Sequence, residues 1–189
     1  MAPSRNAKIG IVPLGDMTDL EPNIIAAHIA GYLNLEALVL PPLALPSGTL
    51  DRQRLQYNAG KMITALENGP YNDYLKLVGV VSVDIFLPIF THVFGEAQLG
   101  GKWALVSLSQ LRPPPAIQSS TSLYERVAKI ALHEIGHLFN LQHCENTGCL
   151  MHFSGGLEDL DRLPIYYCRY CRAFLAEALR VRAKISPQF

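Results

Sequence analysis

The residues best suited to chemistry in this sequence are two histidines one helical turn apart. His133 and His137 flank Glu134 in the run His-Glu-Ile-Gly-His. Residues at this spacing lie on one face of a helix, so both imidazoles can bind the same metal ion. Glu134 can approach a water molecule beside the metal, which favours a role as general base. The alternative is a pair of histidines that only pack in the core.

A third histidine can join this site if the helix ends soon after His137. In a continuing helix, His143 would lie about 9 Å further along the axis and would point elsewhere. Asn140 lies between the two, and asparagine is, after glycine, the residue that best tolerates the left-handed conformation that ends helices. Three histidines leave a fourth position open for water, which is typical of a catalytic zinc site.

The four cysteines all follow this region and form two close pairs. Cys144 and Cys149 have the spacing Cys-x4-Cys, and Cys168 and Cys171 have the spacing Cys-x2-Cys. Four thiolates around one zinc ion make a closed tetrahedral site, which is structural because no position remains for a substrate. Such a site would clamp a loop-rich segment that has few apolar residues of its own. Two disulfides, or unpaired buried thiols, are the alternatives.

Composition limits the class of protein. The 189 residues (20.9 kDa) fit one domain with its own core, and 49% apolar against 17% charged residues exclude a disordered chain. The formal net charge of zero argues against a nucleic-acid or anionic-membrane binder. The sequence shows neither a signal-peptide pattern nor an apolar run long enough for a bilayer. It therefore predicts a soluble, cytoplasmic protein whose thiols stay reduced or bind metal.

Hydrophobic patterning predicts the elements that must position these residues. Strands are predicted at 8–14, 35–40, 75–86, 93–97 and 104–108, with helices at 23–33, 53–66 and 169–184. The alternation of strands and helices predicts an α/β fold with a largely parallel sheet. A further helix begins near Ser122, which has capping-box spacing to Glu125. It carries apolar residues on two sides, so it should be largely buried.

The run from residue 133 to residue 171 resembles the signature of the archaemetzincins, which are metzincin zinc metallopeptidases. The stretch from His133 to His143 is similar to the long zinc motif of the metzincins. The cysteine pairs that follow are similar to the archaemetzincin extension of that motif. Two departures stand out: Asn140 occupies a position usually held by glycine, and the sixteen residues between Met151 and Cys168 are about one fewer than in the family.

The resemblance implies an α+β zincin-like fold in one catalytic domain, residues 1–189. An upper subdomain, 1–140, would hold a twisted mixed sheet and the active-site helix, and a small zinc-clamped lower subdomain would span 141–189. Met151 would lie in the Met-turn beneath the catalytic zinc, where an ordinary core methionine is the alternative. An edge strand would hold peptide substrates by strand addition, and an ordinary edge strand competes with this interpretation. Its predicted residues are Phe94, Gly95, Glu96 and Ala97.

The predicted function is that of a zinc metallopeptidase acting on a peptide or protein substrate. Two zinc ions per chain are expected, a catalytic one at the three histidines and a structural one at the four cysteines, with Glu134 as general base. The main alternative is a zinc-stabilised peptide- or protein-binding protein with little hydrolytic activity. A nucleic-acid module built on the cysteine site is disfavoured by the zero net charge. Oligomeric state and the choice between amino- and endopeptidase activity stay open.

Overall fold

A mixed five-stranded sheet forms the centre of the computed structural model, which describes residues 8–71, 73–112 and 123–185. Its strands are β1 (Ile9–Leu14), β2 (Ala37–Val39), β5 (Lys76–Val81), β7 (Gly95–Ala97) and β8 (Trp103–Ser107). The spatial order is β2-β1-β5-β8-β7. All neighbours pair parallel except β7, which runs antiparallel to β8 at one edge. The predicted α/β class with a mixed, largely parallel sheet is confirmed.

Helices cover both faces of this sheet because its central strands are apolar on both sides. In β1, Ile9 and Ile11 belong to the core on one face, and Val12 and Leu14 belong to the core on the other. Three helices form the outer layers: α1 (Leu20–Leu33) and α3 (Leu123–Leu138) on the first face, and α2 (Ala59–Leu66) on the second. α3 and the core residues that follow it in the chain therefore lie on the same face of the sheet.

The helix predicted at 53–66 begins only at Ala59, and the residues before it form a hairpin. A second, three-stranded sheet contains β3 (Leu50–Asp51), β4 (Gln56–Asn58) and β6 (Ile85–Phe86). The Asp51 carboxylate accepts hydrogen bonds from two backbone N–H groups of the connecting turn. Asn58 then caps α2 by accepting a hydrogen bond from the N–H of Lys61 at 3.0 Å. These polar contacts override the helical spacing of the apolar residues.

The strand predicted at 75–86 is divided between the two sheets. β5 ends at Val81, and the chain resumes as β6 at Ile85. Asp84 lies in the break, where its carboxylate accepts hydrogen bonds from the amides of Gln56 at 2.8 Å and Gln110 at 3.1 Å. The apolar run in the sequence does not predict this break, because the residues that bind the Asp84 carboxylate come from distant parts of the chain.

α3 is buried even at two of its charged residues, Arg126 and Lys129. Arg126 forms two hydrogen bonds with the Asp161 carboxylate, at 2.7 and 2.6 Å. Lys129 pairs with Glu125 at 2.8 Å and donates to the carbonyl of Leu160 at 3.2 Å. Leu160 and Asp161 belong to α4 (Leu157–Arg162), so these contacts hold α3 against the segment that follows it. The predicted cap of α3 at Ser122 lies outside the described residues.

The last helix, α5 (Arg169–Ile185), agrees with the prediction at 169–184. Cys171 and Leu175 face the core, whereas Tyr170 and Phe174 are exposed. Within the described ranges, no helix combines the length and the apolar character needed to span a bilayer.

Candidate active site

Three histidines converge beside the C-terminal half of α3. The Nε2 atoms of His133 and His137 lie 3.1 Å apart, as expected for neighbours one helical turn apart. His143 comes from the loop beyond the helix, and a nitrogen atom from each ring lies within 4.8 Å of the other two. The arrangement allows all three imidazoles to contact one ion.

Backbone carbonyls orient two of these rings. Nδ1 of His133 lies 2.8 Å from the Leu150 carbonyl oxygen, and Nδ1 of His137 lies 2.7 Å from that of Leu141. Because a carbonyl can only accept, each Nδ1 carries the proton and each Nε2 offers its lone pair to the shared point. Burial lowers the pKa of His133 to about 3 and also lowers the pKa values of His137 and His143. Neutral imidazoles are the form that binds zinc.

The turn that returns the chain to the site is a left-handed helix end. Asn140 has a φ of 70°, in the left-handed region, as predicted. Its N–H donates to the His137 carbonyl at 2.8 Å, and the N–H of Leu141 donates to the Gly136 carbonyl at 3.0 Å. These two bonds are the pair that defines a Schellman motif. The motif ends α3 and places the Leu141 carbonyl where it orients His137.

Asn140→Ala should lower the free energy of unfolding by about 1–2 kcal/mol, because alanine pays the full steric cost of the left-handed conformation. Asn140→Gly should not lower it, since glycine adopts this conformation freely. Urea denaturation measures both changes. Asn34, which ends α1 with a φ of 52°, is the matched control. Its alanine variant should lose comparable stability without weakening zinc binding at the histidines. Equal stability of the two Asn140 variants would contradict this account of the turn.

The Glu134 carboxylate lies in the wall of the cavity that contains the three histidines. This cavity measures about 730 Å³ and runs between α3, the segment that contains β7, and the loop around Phe153. Burial raises the pKa of Glu134 well above its ordinary value, and the negative charge of Glu96 raises it further. A carboxyl group in this environment holds a proton more readily than an exposed one, which suits a general base.

The segment predicted to bind substrate lies along the same cavity. Phe94, Gly95, Glu96 and Ala97 all line it, and β7 is the edge strand of the large sheet. The side chain of Phe94 is buried in the core, whereas the three residues of β7 that follow it are half-buried. An edge next to a cleft is the arrangement that strand addition requires.

Met151 packs directly against α3 between the turns that carry the two helical histidines. Its side chain is fully buried, and a Cβ atom on Gly136 would lie 2.5 Å from its sulfur. Sequence reasoning assigned no role to Gly136, although a glycine inside a buried helix was the available signal. The close contact explains why the helix carries no side chain at this position.

The four cysteines form a second cluster, with sulfur atoms within 4.8 Å of one another. All four are free thiols, and the 3.9 Å between the sulfurs of Cys144 and Cys168 is too long for a disulfide. The backbone N–H of Cys171 stabilises the Cys168 thiolate and lowers the pKa of Cys168. Burial raises the pKa values of Cys149 and Cys171, so the fit to a structural zinc site rests on the four free sulfur donors lying close together.

The cysteine cluster is connected to the histidine site through the backbone. Leu150, whose carbonyl orients His133, lies between Cys149 and Met151, and its N–H donates to the Tyr166 carbonyl at 2.9 Å. Tyr167 donates its hydroxyl to the Leu132 carbonyl in α3 at 2.7 Å. Sequence reasoning missed Tyr167, because a tyrosine beside a cysteine pair carries no distinctive signal. Residues next to the cysteines therefore contact both α3 and the segment whose carbonyl orients His133.

Two aromatic residues of the cavity were also missed. The centre of the Phe153 ring lies 5.4 Å from the centre of the His143 ring and 6.4 Å from that of the Phe90 ring. Both phenylalanines line the cavity and are partly exposed there. Their proximity depends on the packing of distant loops, so no sequence spacing indicates it.

Comparison with known proteins agrees with this geometry. The sequence profile of peptidase family M54 matches residues 31–177. The archaemetzincin of Archaeoglobus fulgidus is 36% identical over 165 residues, which cover 87% of this chain and 96% of that protein. The archaemetzincin of Methanocaldococcus jannaschii is 36% identical over 169 residues, covering 87% of this chain and 90% of its own.

Solved structures show the same likeness in three dimensions. The crystal structure of archaemetzincin from Methanopyrus kandleri superposes with a TM-score of 0.82 at 31% identity, covering 95% of this chain and 99% of that one. A zinc-dependent peptidase from Methanocorpusculum labreanum superposes with a TM-score of 0.77 at 26% identity, covering 88% and 99%.

Proposed function

Because this chain belongs to peptidase family M54 and is a zinc metallopeptidase, we propose that its activity resides in the cavity beside α3. His133, His137 and His143 hold the catalytic zinc, and Glu134 is the general base. The observation that carries this proposal is the convergence of three neutral imidazoles next to a buried carboxylate in one cleft. Family membership does not favour the alternative of a zinc-stabilised binding protein.

The chain's own residues perform the proton transfers of peptide hydrolysis. Zinc, when bound, supplies a Lewis acid that polarises the scissile carbonyl and makes water more acidic. Glu134 takes the proton of the attacking water and passes it to the nitrogen of the leaving amine. The raised pKa of Glu134 favours this cycle, because the carboxyl group must hold the proton between the two steps. The edge strand β7 orients the peptide by adding it to the sheet.

A second zinc ion, held by the four cysteines, is structural in this proposal. It clamps the lower subdomain, residues 141–189, beneath the upper subdomain, residues 1–140, within one catalytic domain. Met151 then forms the Met-turn of a metzincin. The support for this arrangement is the close contact of Met151 with α3 at Gly136 and the short sulfur–sulfur distances.

The substrate is a peptide or protein that binds in extended form along Gly95, Glu96 and Ala97. The apolar residues of the cavity, Phe90 and Phe153 among them, provide surface for its side chains. The formal net charge of zero gives no support to a nucleic-acid or membrane partner. The four unbridged thiols fit a reducing compartment, and we place the protein in the cytoplasm.

Zinc analysis of the purified protein tests the two metal sites. Native mass spectrometry should find two zinc ions per wild-type chain and one in His143→Ala, which should also lose peptidase activity. His28→Ala is the control, because His28 stacks on Tyr32 in α1 and lies outside both clusters. That variant should keep both ions and full activity. A single ion in the wild type, or two in His143→Ala, would contradict the assignment.

A further inference from the structure

The edge strand β7 passes so close to Glu134 that a side chain does not fit at Gly95. A Cβ atom built on Gly95 would lie 2.6 Å from Oε1 of Glu134, 2.7 Å from its Cγ and 2.8 Å from its Cδ. All three distances are well below the van der Waals contact of two heavy atoms. The carboxylate of Glu134 therefore lies directly against the backbone of the strand.

The register of β7 explains why this position and not its neighbour faces Glu134. Gly95 pairs with Val106, which packs in the core shared with α3. Glu96 pairs with Leu105, which packs in the core shared with α2 on the other face. Cross-strand partners lie on the same face of a sheet, so the Cα–Cβ direction at Gly95 is toward α3, whereas that at Glu96 is toward the other face.

We propose that Gly95 is a positioning residue for the general base. The absence of a side chain lets Glu134 rest on the edge strand at the place where an added peptide would bring its scissile bond. This inference rests on the proposed roles of Glu134 as base and of β7 as the substrate-binding edge. It assigns Gly95 a contribution that is separate from hydrogen bonding to the substrate.

A side chain at Gly95 should lower the catalytic rate and leave the folded structure largely unchanged. The nearest atoms that a Cβ would meet, from Cγ to Oε1, all belong to the side chain of Glu134 and not to the backbone. Glu134 can yield by rotating its side chain, so the sheet and the metal ligands stay in place. The carboxylate is displaced, and a misplacement of about 1 Å at a reacting group costs about 100-fold in rate.

Kinetics of Gly95→Ala measure this effect against Gly31→Ala. Gly31 lies in α1, where an added Cβ would have no atom within 4 Å, so it controls for the substitution itself. Gly95→Ala should lower kcat by about 100-fold with KM little changed, while zinc content and melting temperature stay near wild type. Gly31→Ala should keep the wild-type kcat. An unchanged kcat in Gly95→Ala would overturn the inference.

Repeating the Gly95→Ala substitution in a Glu134→Asp variant shows whether Gly95 acts through Glu134. Glu134→Asp shortens the side chain by one methylene group and withdraws the carboxylate from the strand. The Gly95→Ala change should therefore cost much less in that background, a coupling that a double-mutant cycle measures. Equal losses in both backgrounds would overturn the inference. A zinc-loaded wild type without peptidase activity would instead refute the proposed function itself.

Folding of the variant gives a further readout that does not depend on activity. Should Gly95→Ala lower the melting temperature, the Gly95→Ala/Glu134→Ala double variant should regain it, because the obstructing carboxylate is gone. A loss of stability that Glu134→Ala does not restore would mean that the strand itself rejects the side chain. That result would overturn the positioning role.

Discussion

Glu134→Gln should remove most of the turnover while both zinc ions stay bound, because we propose that Glu134 is the general base. Glutamine has nearly the same shape but cannot take a proton from water, and general-base catalysis contributes about 100- to 10 000-fold to a rate. The expected result is a fall in kcat of that size with little change in KM. Steady-state kinetics on a cleaved peptide, with zinc content measured on the same sample, provide the test.

The pKa of Glu134 also predicts the direction in which the same substitution changes the stability of the metal-free protein. The folded protein raises the pKa of Glu134, so this group favours folding below its unfolded pKa and loses that contribution as the pH rises through the folded pKa. At neutral pH the metal-free protein should therefore melt no lower after Glu134→Gln. Glu145→Gln, an exposed change near His143, is the matched control and should keep both kcat and melting temperature. Activity retained in Glu134→Gln would remove Glu134 from the mechanism.

Removal of the cysteine site should have the largest effect on stability. Structural zinc contributes about 10–16 kcal/mol of apparent binding free energy in zinc-finger peptides, as much as the whole stability of an ordinary domain. Cys168→Ser/Cys171→Ser should therefore unfold the segment from Cys144 to α4. Hydrogen exchange should show fast exchange there and continued protection in β1 and β5.

The two metal sites should respond asymmetrically. The cysteine variant should also weaken zinc binding at the histidines, because the Leu150 carbonyl that orients His133 belongs to the unfolded segment and His143 directly precedes that segment. His143→Ala should lose only the catalytic ion and keep the cysteine segment protected. Unchanged protection after the cysteine substitutions would show that the cluster does not hold the lower subdomain.

Much of the site follows from local spacing. The helical separation of His133 and His137 and the conformational preference of Asn140 are properties of short segments, and the structure brings His143 to the two rings as that spacing indicates. The paired cysteines likewise meet in one cluster. Local spacing was sufficient here because each cluster takes most of its members from segments close together in the sequence.

Contacts between distant segments could not be predicted in this way. Gly95 and Gly136 are glycines because Glu134 and Met151 occupy the space beside them, and neither neighbour is visible in the spacing of the sequence. The hairpin before α2 escaped prediction for the same reason. Its turn depends on the Asp51 carboxylate, which competes with the helical pattern through side-chain hydrogen bonds.

The most direct test of the central claim is digestion of a diverse peptide library, read by mass spectrometry. Zinc-loaded wild type should release products that Glu134→Gln, loaded with the same two ions, does not release. The ends of those products would also distinguish aminopeptidase from endopeptidase cleavage. The contradicting result is a library that neither protein cleaves, although zinc is confirmed at His133, His137 and His143. That result would mean that this cleft does not hydrolyse peptide bonds.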